Sequence, residues 1–583
     1  MTEQNKGWHQ KFLNLKNQIE SYKMKYFYSL MVLVVFSNLS IAQNSAVTNQ
    51  NLKSNNVNER PKLVVGIVVD QMRYDYLTRF YNKYGEGGFK RMMNEGFNCK
   101  NNHYNYVPTY TGPGHASIYT GTTPKYHGIV GNDWFDRNLG YNVNCVNDDS
   151  VQPIGTDSKD GQMSPHRLLT TTFADENRLF TQMRGKTIGI SIKHRSAILP
   201  AGHNANAAYW FDYEDNRTGN FITSSYYMKE LPKWVQDFNT SNAAEKYFKV
   251  WNTLYDINNY TESGSDLNTF ERIFKGKETA TFPYDLEALK SKNGNYKIIA
   301  DSPYGNSLIT DFTLKAIDAE SLGKDDITDV LTVSYSSTDK VGHDFGVNSK
   351  EIEDTYLRLD LELERLLNAL DDKVGKGEYT LFLTADHGAP NVPNYLKSER
   401  IPAGLFDESK MFDDLNEFLY KKVNVENLVL SRANNQIYLD HKKIEENHLE
   451  LKDIKKMTAL KLLKYDLIGK VYITSDINQF EGSEGFLENL LRNGHNQKRS
   501  GDILFVYTPG VFKDTSSNRT GTVHHSGFNY DTHIPLLFLG KGIKKGQTFQ
   551  RTEITDIAPT ISAFLGISFP NGSNGDPLEF VFD

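Results

Sequence analysis

Four short apolar runs, residues 62–69, 187–192, 330–335 and 379–385, set the terms on which this chain can fold. Each is largely continuous rather than alternating, the pattern of a strand covered on both faces. Between the last two, Ile352, Tyr356, Leu359, Leu363, Leu366, Leu367 and Leu370 recur at helical spacing. Residues 349–371 are therefore expected to form an amphipathic helix, stopped by Gly375-Lys376-Gly377. Strand, helix, strand is a βαβ unit, which implies a largely parallel sheet with helices on both faces. The expected fold class is α/β: a three-layer α/β/α sandwich with a mostly parallel central sheet. Inserted cap segments would lie over the carboxyl-terminal edge of the strands.

With 583 residues there is room for such a sheet and long insertions. Two stretches with weaker patterning, near 205–300 and 391–500, read as those insertions into a domain spanning 61–581. The N-terminus reads as a targeting segment. Lys23 and Lys25 precede an apolar run from Tyr26 to Phe36, and Ser40-Ile41-Ala42 offers small residues for cleavage. Residues 1–42 are thus expected to be a signal peptide, Met24 being an alternative start, and 43–60 a flexible leader. The expected location is periplasmic or secreted, with no stable membrane span once the signal is removed. Cys99 and Cys145 are too few for a disulfide framework, and whether they pair is open. There is no nucleic-acid motif, so no nucleic-acid binding surface is expected.

In open parallel sheets, ligands bind beyond the carboxyl ends of the strands. Asp70, Lys193, Asp339, Asp386 and His387 all fall at or just after such ends. Any one alone reads as a cap or a turn residue; several at one edge read as a site. Asp339 and His343 share a face if a helical turn begins near Asp339. Asp386 and His387 diverge in a strand, and a sharp turn at Gly388 could bring both to one place. Carboxylate oxygens and imidazole nitrogens are ordinary zinc ligands. Thr111 stands before Gly112-Pro113-Gly114, where a helix begins. Free N–H groups there favour an anion, and zinc could activate the hydroxyl as a nucleophile.

These stretches, with Gly131-Asn132, 191–203 and 522–535, resemble the alkaline phosphatase superfamily, most of all the bacterial monomeric alkaline phosphatases of the PafA type. The resemblance implies two zinc ions. Asp339, His343 and His524 would hold the one that activates water, and Asp70, Asp386 and His387 the one that also binds Thr111. Thr111 would be transiently phosphorylated. Asn132, Lys193 and Arg195 would bind the phosphoryl oxygens. The third histidine segment reads His524-His525-Ser526, where the family has His-Gly-Ser; the distance to Asp531 favours His524 as the ligand over His525. The resemblance implies an exported hydrolase of small phosphate monoesters. The alternative in the same superfamily is a nucleotide pyrophosphatase or phosphodiesterase. Net charge is −7 overall; residues 1–42 hold five Lys and two Glu, +3 in all, so the rest carries −10. Attraction of an anionic substrate then falls to local cations.

Overall fold

A computed structural model describes residues 60–582, apart from 215–216, 478–484 and 515–519. The expected signal peptide and all but the last residue of the leader lie outside the described residues. The chain divides at Arg60 and Pro61, and the fold is that of the second unit.

Eleven strands form the main sheet. In chain order they are β1 (Leu63–Val69), β2 (Phe97–His103), β3 (Pro153–Ile154), β4 (Thr187–Ser191), β5 (Ala207–Asp212) and β6 (Asn220–Ser224). Then come β7 (Asp329–Tyr335), β8 (Tyr379–Thr384), β9 (His533–Ile534), β10 (Leu536–Gly540) and β11 (Gly546–Glu553). Across the sheet the order is β9-β2-β10-β8-β1-β7-β4-β5-β6-β3, with β11 pairing on β2. The central five, β8-β1-β7-β4-β5, are parallel, and antiparallel pairs flank them on both sides. This is the expected α/β class, with a sheet more mixed than the apolar runs alone suggested.

Register explains why the site forms where it does. Val69 lies opposite Tyr335, Val68 opposite Thr384, and Ser334 opposite Ser191. Four parallel strands therefore end at one level. The residues that follow them, Asp70, Lys193, Ser336 and Asp386, emerge along a single edge.

Helices pack on the sheet in two groups. α1 (Thr111–Thr120) and α2 (His194–Ala201) belong to one, α3 (Tyr304–Ala319), α4 (Ser337–Phe345) and α5 (Lys350–Leu370) to the other. α5 follows the expected bounds closely. Ser349 caps it by accepting from Ile352 N at 3.0 Å, and its seven apolar-stripe residues are buried. The βαβ reading needs one adjustment: β7 and β8 are parallel but not adjacent, because β1 lies between them. All of α1 is buried. At Gly66 of β1 a Cβ would come within 2.2 Å of the Tyr119 hydroxyl, so glycine lets α1 approach the sheet this closely.

The insertions differ in kind. Residues 207–212 and 220–224, expected to belong to the first one, form β5 and β6 of the main sheet. Residues 391–511 include a four-stranded sheet of Val429–Ala433, Gln436–Leu439, Ile503–Tyr507 and Ile468–Ile473, over a core of its own.

Candidate active site

The strand ends deliver Asp70 and Asp386 directly, and α4 delivers Asp339 in its first turn and His343 in its last. The loop before β9 adds His524. Two groups of potential ligands result, Asp70–Asp386–His387 and Asp339–His387–His524, all buried and with ligand atoms within 4.8 Å of one another. His387 belongs to both. His343 stands just outside these groups, its Nε2 3.1 Å from Asp339 Oδ1.

The imidazoles are oriented alike. Each Nδ1–H donates to a backbone carbonyl: His343 to Thr522 at 2.7 Å, His387 to Gly388 at 3.0 Å and His524 to Thr109 at 2.7 Å. The tautomer is thereby set, and each Nε2 lone pair faces the carboxylates, the usual support for a metal-binding histidine. The rings of His387 and His524 stack at 3.4 Å and 9°. Burial holds the His387 imidazole down to about 3 and drives that of His524 well below its ordinary range, so both are neutral, as ligands must be.

The carboxylates are crowded. Burial opposes ionisation of Asp339, but His343, Lys193 and His524 outweigh it and hold the group well below the usual range. Asp386 is pushed well above it by burial and by the Asp70 charge. Asp70 Oδ1, Asp386 Oδ2 and His387 Nε2 are buried without a hydrogen-bond partner. Orphaned oxygens and nitrogens converging in one place, with no thiolate among them, fit zinc.

Thr111 is the first residue of α1; its side chain does not cap the helix, and Tyr110 takes the N-cap position. The helix is bolted to the ligand cluster. His115 donates from Nδ1 to Thr111 O at 2.9 Å, lies 3.4 Å from Asp386 Oδ2 and bonds Ser334 Oγ through Nε2 at 2.9 Å. At Gly114 a Cβ would come within 2.4 Å of Asp386 O, so glycine permits the approach. Asn132 Oδ1 accepts from Gly112 N at 2.7 Å, which leaves its Nδ2 as the free donor.

Lys193 Nζ reaches Asp70 Oδ2 and Asp339 Oδ2, both at 2.6 Å. Arg195 Nε is buried with no hydrogen-bond partner. Both residues line a cavity of about 130 Å³ with Tyr213, Glu214 and Lys340. His525 stays apart from the ligand groups, its ring edge-on to Tyr507 at 5.5 Å. Cys99 and Cys145 are free and buried.

Sequence reasoning missed Gln71 and His115. Gln71 adopts φ 66° and donates from its backbone N to Asp386 Oδ1 at 3.1 Å and from Nε2 to Asp339 Oδ1 at 2.6 Å. A non-glycine residue held left-handed directly after a candidate ligand marks a constrained site, but no sequence pattern announces it.

Residues 64–529 match the profile of the Type I phosphodiesterase / nucleotide pyrophosphatase family. The chain is 49% identical over 528 residues to a Myroides odoratus protein named calcium-transporting ATPase, covering 89% of this chain and 94% of that one. It is 47% identical over 524 residues to the Elizabethkingia meningoseptica alkaline phosphatase PafA, covering 90% and 94%. The crystal structure of wild-type PafA superposes with a TM-score of 0.86 at 47% identity, covering 90% of this chain and 99% of that one.

Proposed function

The chain belongs to the Type I phosphodiesterase / nucleotide pyrophosphatase family, within the alkaline phosphatase superfamily, and from that premise we propose that it is an exported, two-zinc alkaline phosphatase of small phosphate monoesters. One observation carries the reading. The turn bearing Thr111 accepts from the imidazole of His524 at Thr109 O, and its Gly114 packs against the backbone of Asp386.

Asp339, His343 and His524 would hold one zinc, and Asp70, Asp386 and His387 the other. Bound zinc supplies Lewis acidity, lowering the pKa of a hydroxyl and of water and neutralising charge on phosphoryl oxygens. Three carboxylates and the Lys193 ammonium sum to −2; two divalent cations would make the site +2, complementary to a phosphate dianion. Thr111 gives its hydroxyl proton to solvent, and its Oγ attacks phosphorus as the ester P–O bond breaks. The leaving alkoxide takes a proton from water to become the alcohol, and a second water then cleaves the phosphothreonine to phosphate and the Thr111 hydroxyl. Asn132 Nδ2, Arg195 and Lys193 hold non-bridging oxygens while charge builds on them.

The second reading, a nucleotide pyrophosphatase or phosphodiesterase, shares the nucleophile and the ligands. Arg195 beside Lys193 argues against it, because a second cation favours the doubly charged monoester over the singly charged diester. Export rests on the N-terminal sequence; among the described residues no helix is long and apolar enough to cross a membrane. The test compares one alcohol as its phosphate monoester and as a matched diester, with ATP in the same panel because of the Myroides name. Zinc is counted, and the enzyme is acid-quenched with labelled monoester. Two zincs, a monoester preference and label on Thr111 are expected. A diester preference, or label on another residue, overturns the proposal.

A further inference from the structure

No strand of the main sheet places Asn132. It lies on an irregular stretch between the helical turn Pro124–His127 and the short strand Asp133–Asp136. That strand pairs with Tyr141–Asn144 in a two-stranded sheet apart from the main one. On its inner side the stretch is held by Cys145 N, which donates to Asn132 O at 2.9 Å, and by the bond from Gly112 N to Asn132 Oδ1. Its outer side is held by the segment inserted at 391–511.

There the strands Val429–Ala433 and Gln436–Leu439 form a hairpin whose tip is Asn434-Asn435. Both residues are left-handed, at φ 55° and 59°, the conformation a two-residue hairpin turn requires and asparagine tolerates. Phe505 N donates to Asn435 O at 3.0 Å and ties the tip to the neighbouring strand. From this fixed tip the Asn434 side chain reaches across. Its Nδ2 donates to Asp133 O at 2.7 Å. It also lies flat against Gly131, where an added Cβ would come within 2.1 Å of the same nitrogen. One amide therefore meets both sequence neighbours of Asn132. The grip is repeated on either side. Arg499 Nη1 donates to Gly128 O at 2.6 Å, and Arg137 donates to Leu439 O at 3.0 Å and to Asp502 Oδ2 at 2.7 Å.

We propose that Asn434 is a positioning residue, which aims Asn132 Nδ2 at the phosphoryl oxygens from the far side of the chain. This rests on the phosphate contact given to Asn132 in the function proposed above. With Oδ1 committed to Gly112 N, the direction of Nδ2 follows from where the backbone of residues 131–133 is held. A donor stabilises developing charge only if it is held in place before the charge appears. Without the Asn434 amide, Gly131 loses its outer wall and Asp133 O a donor, and the stretch must be ordered by substrate instead.

The test uses the zinc-loaded full chain. Asn434→Gly keeps the left-handed turn and removes only the side chain. It is expected to lower monoester kcat/KM and to weaken inhibition by inorganic phosphate, each by about 3- to 10-fold, the worth of one neutral hydrogen bond. Zinc content should be unchanged. In the Asn132→Ala background the same substitution is expected to alter either quantity by less than about 2-fold, because a residue that acts through Asn132 has nothing left to move. Asn434→Asp keeps the size and the turn but not the donor; it should reproduce the loss, and it serves if the glycine variant does not fold. Losses that simply add to those of Asn132→Ala would show a general structural role and overturn the proposal. So would an unchanged phosphate inhibition constant in both Asn434 variants. If Asn132→Ala itself leaves monoester turnover and phosphate inhibition intact, the phosphate contact is wrong and the role of Asn434 falls with it. A loss in Asn132→Ala with none in the Asn434 variants counts against Asn434 alone.

Discussion

His524 and His525 are neighbours in sequence with different surroundings. The first stacks on His387 and donates to Thr109; the second packs against Tyr507. His524→Ala is therefore expected to strip zinc from the protein, measured by metal analysis after dialysis, while His525→Ala keeps it. Equal losses would reverse the ligand assignment. Lys193 and Arg195 call for separate treatment. Lys193 touches two of the carboxylates proposed as ligands, so its removal is expected to disturb metal and substrate together, whereas Arg195 offers an unpaired Nε. Arg195→Ala should lower monoester kcat/KM by about 10- to 100-fold, the worth of one charged hydrogen bond. Zinc should stay bound and the diester rate should fall less; matching losses would assign Arg195 a structural role. That Asp70, Asp386 and His387 gather at one edge could be read from sequence because strand ends declare themselves. Gln71 and His115 could not, since their importance depends on partners 315 and 219 residues away.

At the scale of elements, α1 is the part on which the chemistry turns, and Gly114 sets its height. An added Cβ meets the backbone of Asp386, which cannot retreat without moving a ligand. Gly114→Ala should cost about 1–3 kcal/mol by overpacking and lower kcat more than KM, because Thr111 is displaced; an unaffected kcat would show that α1 adapts freely. α5 carries a pH dependence of its own. Asp360 accepts from Gly85 N and Phe89 N, both at 2.7 Å, yet burial raises it to about 6. Unfolded, it titrates near 3.9. Between those values the folded state holds the extra proton, so stability falls as pH rises through about 4 to 6 and is level above. Asp360→Asn should flatten that part of a urea-midpoint against pH curve, whatever it does to absolute stability. A slope identical to wild type would contradict the assignment. α5 was legible because one stripe of apolar residues dictates it. β5 and β6 were not: Ala207–Asp212 and Asn220–Ser224 lie in a stretch rich in aromatic and polar residues, and their place is fixed by pairing with β4 and with each other.

Across the whole molecule, the parallel centre of the sheet was foreseeable and its antiparallel side was not. β10 is five residues long, lies more than 150 residues beyond β8, and sits between β2 and β8. Nothing local to Leu536–Gly540 tells that it fills a central place. That position also governs how the protein can be made. Until Leu536–Gly540 is in place, β2 and β8 lack the neighbour that joins them, and each presents bare backbone to any other strand. His524 arrives only moments earlier. A chain broken off before residue 520 is thus both sticky and unable to complete the Asp339–His387–His524 group, so on the two-zinc reading proposed above a full metal complement reports a finished chain.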